Sequence, residues 1–227
     1  MKFNWRVELV QLALILAMFL AAALSWSHVP ERIPIHWNLA GEVDGYGGKF
    51  AGLLLLPLIT LGVYLLLLVL PRLDPGYGNY RSFATAYNVI RVAIVCFMAA
   101  VYTVTTLVAL GYQANVGLVI TTSMGLLFIV LGNFMGKLRP NWFVGVRTPW
   151  TLSSKLSWSK THRLAGWLFM LIGLLVLALG VVRTPWMLGL TVSVSCISGI
   201  WTLVYSYLVY RKDPHRVSPA GTSPSIE

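Results

Sequence analysis

The sequence is poor in charged residues and especially poor in acidic ones. Charged residues make up 11% of the 227 residues, and Asp and Glu together number only 7. Soluble globular domains carry roughly 25% charged residues, so this composition excludes an ordinary soluble domain. Hydrophobic residues instead make up 57% of the chain, and the mean hydropathy is +0.75. The composition therefore indicates a protein of the lipid bilayer.

Cysteine is also scarce, which excludes a disulfide framework. The only two cysteines, Cys96 and Cys196, lie in separate apolar segments, and their spacing indicates neither a disulfide nor a metal site. We interpret both as small core residues. No sequence motif for a cofactor is present, so no cofactor is predicted.

Long apolar segments dominate the rest of the chain. A hydrocarbon core of about 30 Å requires about 20 helical residues. Six segments are long enough, and none has a charge in its interior: Val10–Ser27, Ala51–Leu70, Val92–Leu110, Val116–Met135, Leu164–Val182 and Met187–Tyr210. The sequence predicts an all-α polytopic membrane bundle of six transmembrane helices. The first apolar segment is longer than the apolar region of a secretory signal peptide, so we expect it to be retained as a membrane anchor.

The basic residues predict the orientation of the bundle. Cytoplasmic loops carry the excess of Lys and Arg. With a cytoplasmic N-terminus, Arg32, Lys49 and Arg183 face outward and the other 14 of the 17 basic residues face the cytoplasm. Both termini are therefore predicted to be cytoplasmic. The membrane surface accounts for the net charge of +10, so no direct binding of nucleic acid is predicted.

A polar segment rich in Trp and Arg, residues 141–163, separates the fourth and fifth apolar segments. We call it the motif segment, and it reads NWFVGVRTPWTLSSKLSWSKTHR. We expect a short interfacial helix over Ser153–His162, with Trp158 and His162 on one face. Val146–Leu152 is echoed at Val182–Leu188, and each copy contains Thr-Pro, which suits the N-cap and first position of a helix.

The motif segment resembles the C-terminal signature of the SdpI family of bacterial immunity proteins. The matching residues, which we take as a candidate cytoplasmic site, are Gly145, Arg147, Thr148, Pro149, Trp150, Trp158, His162 and Arg163. Family members often have acidic residues ahead of the second Trp, whereas this chain has Lys155 and Ser157.

The loop from His28 to Phe50 is the second polar concentration and is predicted to face outward. Its Pro and Gly residues fix turns, so we expect an ordered loop. Ile35–Asn38 with Gly41, Asp44 and Gly45 resembles an N-terminal domain of unknown function that is often fused to SdpI-type domains. We take four residues as candidate ligand-binding residues: His36, Trp37, Asn38 and Asp44. The loop lacks regular metal-ligand spacing, so no metal is predicted.

These observations divide the chain into three parts. Residues 1–70 form a two-helix unit with the outward-facing loop 28–50. Residues 71–210 form an SdpI-like four-helix unit with the cytoplasmic loop 136–163. The tail, residues 211–227, is rich in Pro and Ser and is predicted to be disordered.

The SdpI resemblance implies a non-enzymatic immunity protein of the bacterial cell membrane. Such proteins protect a bacterium from a secreted peptide toxin, and the founding member is thought to hold a transcriptional repressor at the membrane. The implied partners are membrane lipid, the toxin and a cytoplasmic repressor. One alternative is a small-molecule or lipid transporter or flippase, whose path would use the Thr and Ser clusters of the third, fourth and sixth spans. The second is a membrane enzyme, although His36 and His162 are predicted on opposite faces.

Overall fold

The computed structural model describes residues 4–38, 41–182 and 184–216. Its elements are α1 (Trp5–Ser25), β1 (Arg32–Trp37), β2 (Val43–Gly48), a π-helical turn (Phe50–Leu54), α2 (Leu55–Leu73), a 3₁₀ turn (Tyr77–Arg81), α3 (Ala84–Ala109), α4 (Val116–Met135), α5 (Pro149–Leu152), α6 (Lys155–Val182) and α7 (Pro185–Arg211). Six helical segments are long and apolar enough to cross a membrane: α1, α2 with its π-helical turn, α3, α4, α6 and α7. The predicted bundle of six transmembrane helices is confirmed, and the protein is a multi-pass membrane protein.

The six spans give the bundle two different ends. One end carries the two strands and the α3–α4 loop, and we call it the hairpin end. The opposite end carries the α2–α3 connection, the motif segment and both ends of the described chain, and we call it the motif end. Because the number of spans is even, the first and last described residues lie on the same side. Lys2, Arg183 and residues 217–227 of the predicted tail lie outside the described residues.

Glycine allows α4 and α6 to pack with their backbones nearly touching. A Cβ on Gly132 would lie 2.6 Å from the Gly166 carbonyl oxygen, and one on Gly125 would lie 2.8 Å from that of Gly173. In the other direction, a Cβ on Gly166 would lie 2.7 Å from the Gly132 carbonyl oxygen, and one on Gly173 would lie 2.7 Å from that of Gly125. Small residues at the interface allow such packing in membranes, where the lipid removes the hydrophobic force between helices.

The predicted ordered loop is a β-hairpin seated on the helices. β1 and β2 pair antiparallel, with irregular register around His36. Ile33 of β1 is buried with Met18 and Ala22 of α1 and with Tyr102 and Ala109 of α3. The hairpin is therefore attached to α1 and α3 by an apolar cluster. It is the only sheet among the described residues.

The apolar segments listed above contain no charge, but the helical spans are longer than those segments and do contain charged residues. Helix α1 begins at Trp5 and α3 at Ala84, so Glu8 and Arg91 both lie inside helices. Each side chain is buried, and the two carboxylate oxygens accept hydrogen bonds of 2.9 and 2.8 Å from the two terminal guanidinium nitrogens. The pair compensates its own charges where these two helices extend beyond their apolar runs.

Three predictions need correction. Cys96 and Cys196 are exposed on the surface of the bundle and are not core residues. The short interfacial helix over Ser153–His162 does not form, because α5 ends at Leu152, Ser153 and Ser154 form the connection, and residues 155–162 are the start of the long helix α6. The tail does not become irregular at residue 211, since Arg211 ends α7 and the turn that follows is fixed through buried Asp213.

Candidate functional site

Asn141 shapes the start of the motif segment. Its side chain is buried, and its amide nitrogen donates to the carbonyl oxygens of Arg139 and Val144 at 2.9 and 3.0 Å. Its amide oxygen accepts from the backbone N–H groups of Phe143 and Val144 at 3.0 and 2.6 Å. A single side chain thus satisfies four backbone groups of a loop that has no regular structure to pair them.

Trp158 and His162 form the buried centre of the motif segment. Both side chains are almost fully buried, and their rings stack with centroids 4.0 Å apart. The prediction that they share one face of a helix is confirmed. The indole N–H of Trp158 donates to the carbonyl oxygen of Leu138 at 2.9 Å, so this residue also ties α6 to the end of α4.

The hydrogen bonds of His162 define its tautomer. Its Nε2 accepts a hydrogen bond of 3.0 Å from the backbone N–H of Val146. Its Nδ1 lies 2.8 Å from the carbonyl oxygen of Trp158, which can only accept, so the proton sits on Nδ1 and the ring is neutral. Gly145 has φ +107, and a Cβ there would overlap with Nε2. The motif therefore requires glycine for both its backbone conformation and its contact with His162.

The Thr-Pro pair begins a helix at both copies of the echo, as predicted. Thr148 caps α5 through a capping box with Thr151, and Pro149 follows at the first helical position. Thr184 occupies the N-cap of α7 but makes no side-chain cap bond. Met187 takes the place of the second threonine there, and methionine cannot supply the reciprocal side-chain bond of the box.

A chain of hydroxyl groups connects the motif segment to α7. The Thr148 hydroxyl lies 3.1 Å from that of Ser206, and the Ser157 hydroxyl donates to the Ser206 carbonyl oxygen at 2.7 Å. The Ser154 hydroxyl accepts from the N–H of Ser157 at 2.9 Å and donates to Asp213. The hydrogen bond from Ser154, followed by one from the His215 N–H, lowers the pKa of Asp213 below its ordinary value.

Asp74 anchors the α2–α3 connection to the same segment. Its buried carboxylate accepts from the Tyr80 hydroxyl at 2.8 Å and from the Trp142 N–H at 3.0 Å. Burial, and then this bond to Asp74, raise the pKa of Tyr80 far above its ordinary value. Tyr80 therefore remains a protonated donor, and it packs with Tyr87 and Trp158 in one apolar cluster.

An open cleft lies beside this network at the motif end. Its volume is about 1100 Å³, which reaches the upper end of ligand-pocket sizes of roughly 300–1,000 Å³. Trp158 lies at its wall, and its charged or titratable lining residues are Arg139, Lys155, Asp213 and His215. Since both carboxylate oxygens of Asp213 are hydrogen-bonded within the fold, the two cations dominate the charge available to a ligand. The cleft suits a partner with exposed anionic groups.

The structure separates the predicted cytoplasmic residues into two groups. Gly145, Trp158 and His162 meet in the interior of the motif segment, and Thr148 is buried against Ser206 of α7. Pro149 begins α5, and Trp150 packs on Tyr207 of α7 with ring centroids 5.1 Å apart. Arg147 and Arg163 are exposed, and the Arg147 guanidinium donates to the Trp142 carbonyl oxygen at 3.0 Å. The interior group determines the shape of the segment, and the two arginines present charge.

The four predicted ligand-binding residues of the hairpin lie close together but do not form one site. His36 Nδ1 is hydrogen-bonded to the Asp44 carboxylate on the exposed side, and Asn38 bonds Glu42 across the turn. Trp37 instead lines a cavity of about 570 Å³ with Tyr112 and Asn115 of the α3–α4 loop. His36 and Asp44 do not line that cavity.

The Thr and Ser clusters within the spans bond mainly to their own helices. Thr103, Thr121, Ser123 and Ser195 each donate to the carbonyl oxygen four residues earlier, at 2.7–2.8 Å. Side chains that satisfy the local backbone in this way need no neighbouring helix and no water-filled path. Within the described residues, no group of three or more His, Cys, Asp and Glu side chains could hold a metal ion.

Sequence reasoning missed the acidic and hydroxyl residues that support the site. These are Asp74, Thr151, Ser154, Ser157, Ser206 and Asp213. The sequence has only 7 acidic residues, and an acid that is buried needs a charged or hydrogen-bonding partner. The position of each acid was therefore the signal that could have pointed to these contacts. Ser154 and Ser157 also have the spacing of an N-cap and the third position of α6.

Comparison with known proteins agrees with the two motifs. Residues 13–61 match the model of a domain of unknown function (DUF1648), and residues 137–206 match the SdpI/YfhL protein family. The chain is 22% identical over 205 residues to the immunity protein SdpI of Bacillus subtilis (strain 168), an alignment that covers 90% of this chain and 96% of that protein. No solved structure matches the chain. The predicted resemblance to SdpI, with the fused N-terminal domain, is confirmed.

Proposed function

We propose that this chain is an integral membrane immunity protein that protects a bacterium from a secreted antimicrobial peptide. The observation that carries the proposal is the alignment with the immunity protein SdpI, which runs through 90% of the chain and includes both the hairpin and the motif segment. We assign no catalytic role to any residue.

We place the hairpin end outside the cell and the motif end in the cytoplasm. Among the described basic residues, only Arg32 and Lys49 belong to the hairpin end. Lys137, Arg139, Arg147 and Lys155 are four of those at the motif end. This asymmetry favours a cytoplasmic motif end. The same proposal divides the chain into residues 1–70, residues 71–210 and a tail from 211 whose first residues are ordered.

Peptide recognition is assigned to the hairpin in this proposal. The His36–Asp44 pair presents a polar, solvent-exposed contact, and the neighbouring cavity offers Trp37 and Tyr112 as aromatic surfaces. Aromatic anchors beside satisfied polar groups are typical of peptide-binding surfaces. A peptide that arrives from outside would meet this surface before it reached the lipid.

Helix α3 supplies a route by which peptide binding can be relayed to a cytoplasmic repressor. Its hairpin-end residues Tyr102 and Ala109 pack with Ile33 of β1. Its motif-end residues Tyr87 and Ile90 belong to the cluster that contains Trp158. A shift of α3 would therefore reach both ends, and the cationic cleft would be the surface for the repressor.

The protective role is tested by expressing the chain in a sensitive strain and challenging it with secreted antimicrobial peptides. We expect growth with the parent chain and killing with an empty vector.

A triple variant with His36, Trp37 and Asp44 all changed to Ala should lose protection at unchanged membrane abundance. The matched control is Tyr46→Ala, which removes an exposed aromatic of β2 outside the predicted set. Failure of the parent chain to protect against any peptide would refute the immunity role, and full protection by the triple variant would refute recognition by the hairpin.

A further inference from the structure

The outer edge of strand β2 has no partner strand. The sheet has two strands, so each strand pairs along one edge and leaves the other open. β2 contacts mainly β1 and the π-helical turn that follows it, and none of its residues is buried. Among the described residues, no backbone N–H of Val43–Gly48 donates outside the hairpin. The open edge of β2 is therefore a row of backbone donors and acceptors that another chain can reach.

Proteins usually protect such an edge with proline or lysine. β1 has this protection, because it contains Pro34 and packs on α3. β2 has the sequence VDGYGG and contains neither residue type. A Cβ added at its last residue, Gly48, would meet nothing within 4 Å, so a second backbone can approach closely there. β2 is thus the strand of the hairpin that is available for pairing.

The register of the hairpin identifies an N–H group on this edge. Pro34 of β1 lies opposite Tyr46 of β2. Proline has no N–H, so the two residues cannot exchange both hydrogen bonds of a bonded antiparallel pair. They form the alternate type of pair, in which the backbone groups of both residues point away from the partner strand. The Tyr46 N–H therefore lies on the open edge of β2, and Tyr46 is 55% exposed.

The charge beside β2 indicates which kind of segment could pair with it. Residues 41–48 contain Glu42 and Asp44 but no Lys or Arg, and both acids are exposed. The Glu42 carboxylate accepts a side-chain hydrogen bond only from an uncharged amide. Lys49 follows the strand but is held in a salt bridge, and Arg32 begins β1 at the base of the hairpin. The charge available along β2 is negative, which suits a basic segment.

We propose that the open edge of β2 binds an extended, basic segment of the secreted peptide, which adds to the sheet as a third strand. This inference rests on the proposed recognition of a peptide by the hairpin and specifies how the peptide is held. Backbone hydrogen bonds, one of them from the Tyr46 N–H, supply the affinity, and basic side chains beside Glu42 and Asp44 select the segment. Val43 begins β2 and lines the cavity of about 570 Å³, so this cavity is the pocket for a side chain of the added strand.

A synthetic basic peptide tests the edge directly. The probe is the fluorescein-labelled hexapeptide Lys-Val-Thr-Val-Lys-Val, whose β-branched residues favour an extended strand. Its binding to the full-length protein in phosphatidylcholine nanodiscs is measured by fluorescence anisotropy, with empty nanodiscs as the reference. We expect N-methylation of its central residues to weaken binding about tenfold or more, because the methylated backbone cannot donate to β2. Exchange of both lysines for glutamine should also weaken binding.

Tyr46→Pro and Tyr46→Ala form a matched pair of variants. Both lose the tyrosine side chain, but only proline removes the N–H from the open edge. We expect Tyr46→Pro to bind the probe about tenfold more weakly and Tyr46→Ala to bind it as the parent does. The N-methylated probe repeats this comparison on the unaltered protein, so the result does not depend on how well the hairpin accepts a second proline.

Equal binding of the plain and N-methylated probes, equal binding by the two variants, or no binding of the plain probe would overturn the added strand. Equal binding of the lysine and glutamine probes would overturn the choice of a basic segment. These measurements use the purified protein and do not depend on protection of cells. A chain that protects cells but binds the N-methylated probe as well as the plain one would keep the immunity role and lose the added strand.

Discussion

The contact between Gly145 and His162 is the most constrained point of the motif segment. His162 is buried, stacks on Trp158 and accepts the N–H of Val146 through Nε2. The bond is possible only because residue 145 has no side chain between the loop and the ring. One glycine thus decides whether the loop that carries Arg147 can lie on α6.

We predict that Gly145→Ala destabilises the protein by about 2–3 kcal/mol, from the left-handed backbone conformation and the lost hydrogen bond. The matched control is Gly136→Ala, because an added Cβ there meets only an ordinary contact at 3.8 Å. Thermal unfolding of the purified proteins in detergent measures both variants. Equal melting temperatures for the two variants would show that the loop adapts and that His162 does not determine its shape.

Arg147 differs from the buried residues of the motif because its side chain is exposed. One guanidinium nitrogen donates to the Trp142 carbonyl oxygen, which holds the planar group in place and leaves its remaining N–H donors at the surface. An anionic partner could then be bound by two parallel hydrogen bonds, a geometry that lysine cannot reproduce.

We predict that Arg147→Lys abolishes protection at normal expression while leaving the melting temperature within about 2 °C, since surface substitutions rarely change stability by more than roughly 0.5 kcal/mol. Arg211→Lys is the control, because Arg211 is also exposed and lies at the same end of the bundle. Protection assays together with membrane abundance distinguish the two variants. If Arg147→Lys protects as well as the parent, the arginine serves only as a membrane-surface charge.

At the scale of the helices, the Glu8–Arg91 pair fixes α1 against α3. The Tyr64 hydroxyl of α2 donates to the same carboxylate at 3.0 Å, so one buried acid brings together three helices. The guanidinium also lies 5.7 and 6.0 Å from the ring centroids of Tyr64 and Tyr87. The pair and the Tyr64 hydroxyl thus join the first two helices to α3.

We predict that Glu8→Gln costs about 3–5 kcal/mol, because it leaves the Arg91 charge uncompensated in the interior. The double variant Glu8→Gln with Arg91→Gln should recover a large part of this loss, since no charge is then buried. Arg6→Gln is the control, as Arg6 is exposed on the same helix. Thermal unfolding in detergent gives the double-mutant cycle, and additive effects of the two substitutions would mean that the pair is not coupled.

The number of helices and the bounds of α4, Val116–Met135, could be predicted from the sequence, whereas the starts of α1, α3 and α6 could not. An apolar run of about 20 residues is long enough to span a bilayer as a helix, and this criterion identified the six helices. Arg6, Glu8 and Arg91 lie outside those runs, and the burial of Glu8 and Arg91 depends on a contact between residues 83 positions apart. The same applies to Asp213 and Ser154, whose pairing orders a turn that composition alone assigns to a disordered tail.

The candidate site was predictable only where local sequence dictates geometry. Trp158 and His162 are four residues apart on one helix, and Thr148-Pro149 suits the start of a helix, so both features follow from spacing. The division between buried His162 and exposed Arg147 could not be predicted, because it depends on how the loop folds over α6. No local pattern reports that arrangement.

At the scale of the whole molecule, every functional assignment depends on which end of the bundle faces the cytoplasm. Both ends offer a surface for a partner, the hairpin with its cavity of about 570 Å³ and the motif end with its cleft of about 1100 Å³. The proposed orientation exposes the first to a secreted peptide and the second to a cytoplasmic protein. The opposite orientation would exchange these roles.

Single cysteines determine this orientation in intact cells. Gly48 and Ser159 are exposed at the hairpin end and the motif end, and the space around Gly48 is open to a side chain. Native Cys96 and Cys196 are first replaced by Ala, because both are exposed on the bundle surface and could react. We predict that a membrane-impermeant maleimide labels Gly48→Cys in intact cells and labels Ser159→Cys only after the membrane is permeabilised, since a charged reagent cannot cross the hydrocarbon core. Labelling of Ser159→Cys in intact cells would reverse the orientation, and the hairpin could then no longer be the surface that meets a secreted peptide.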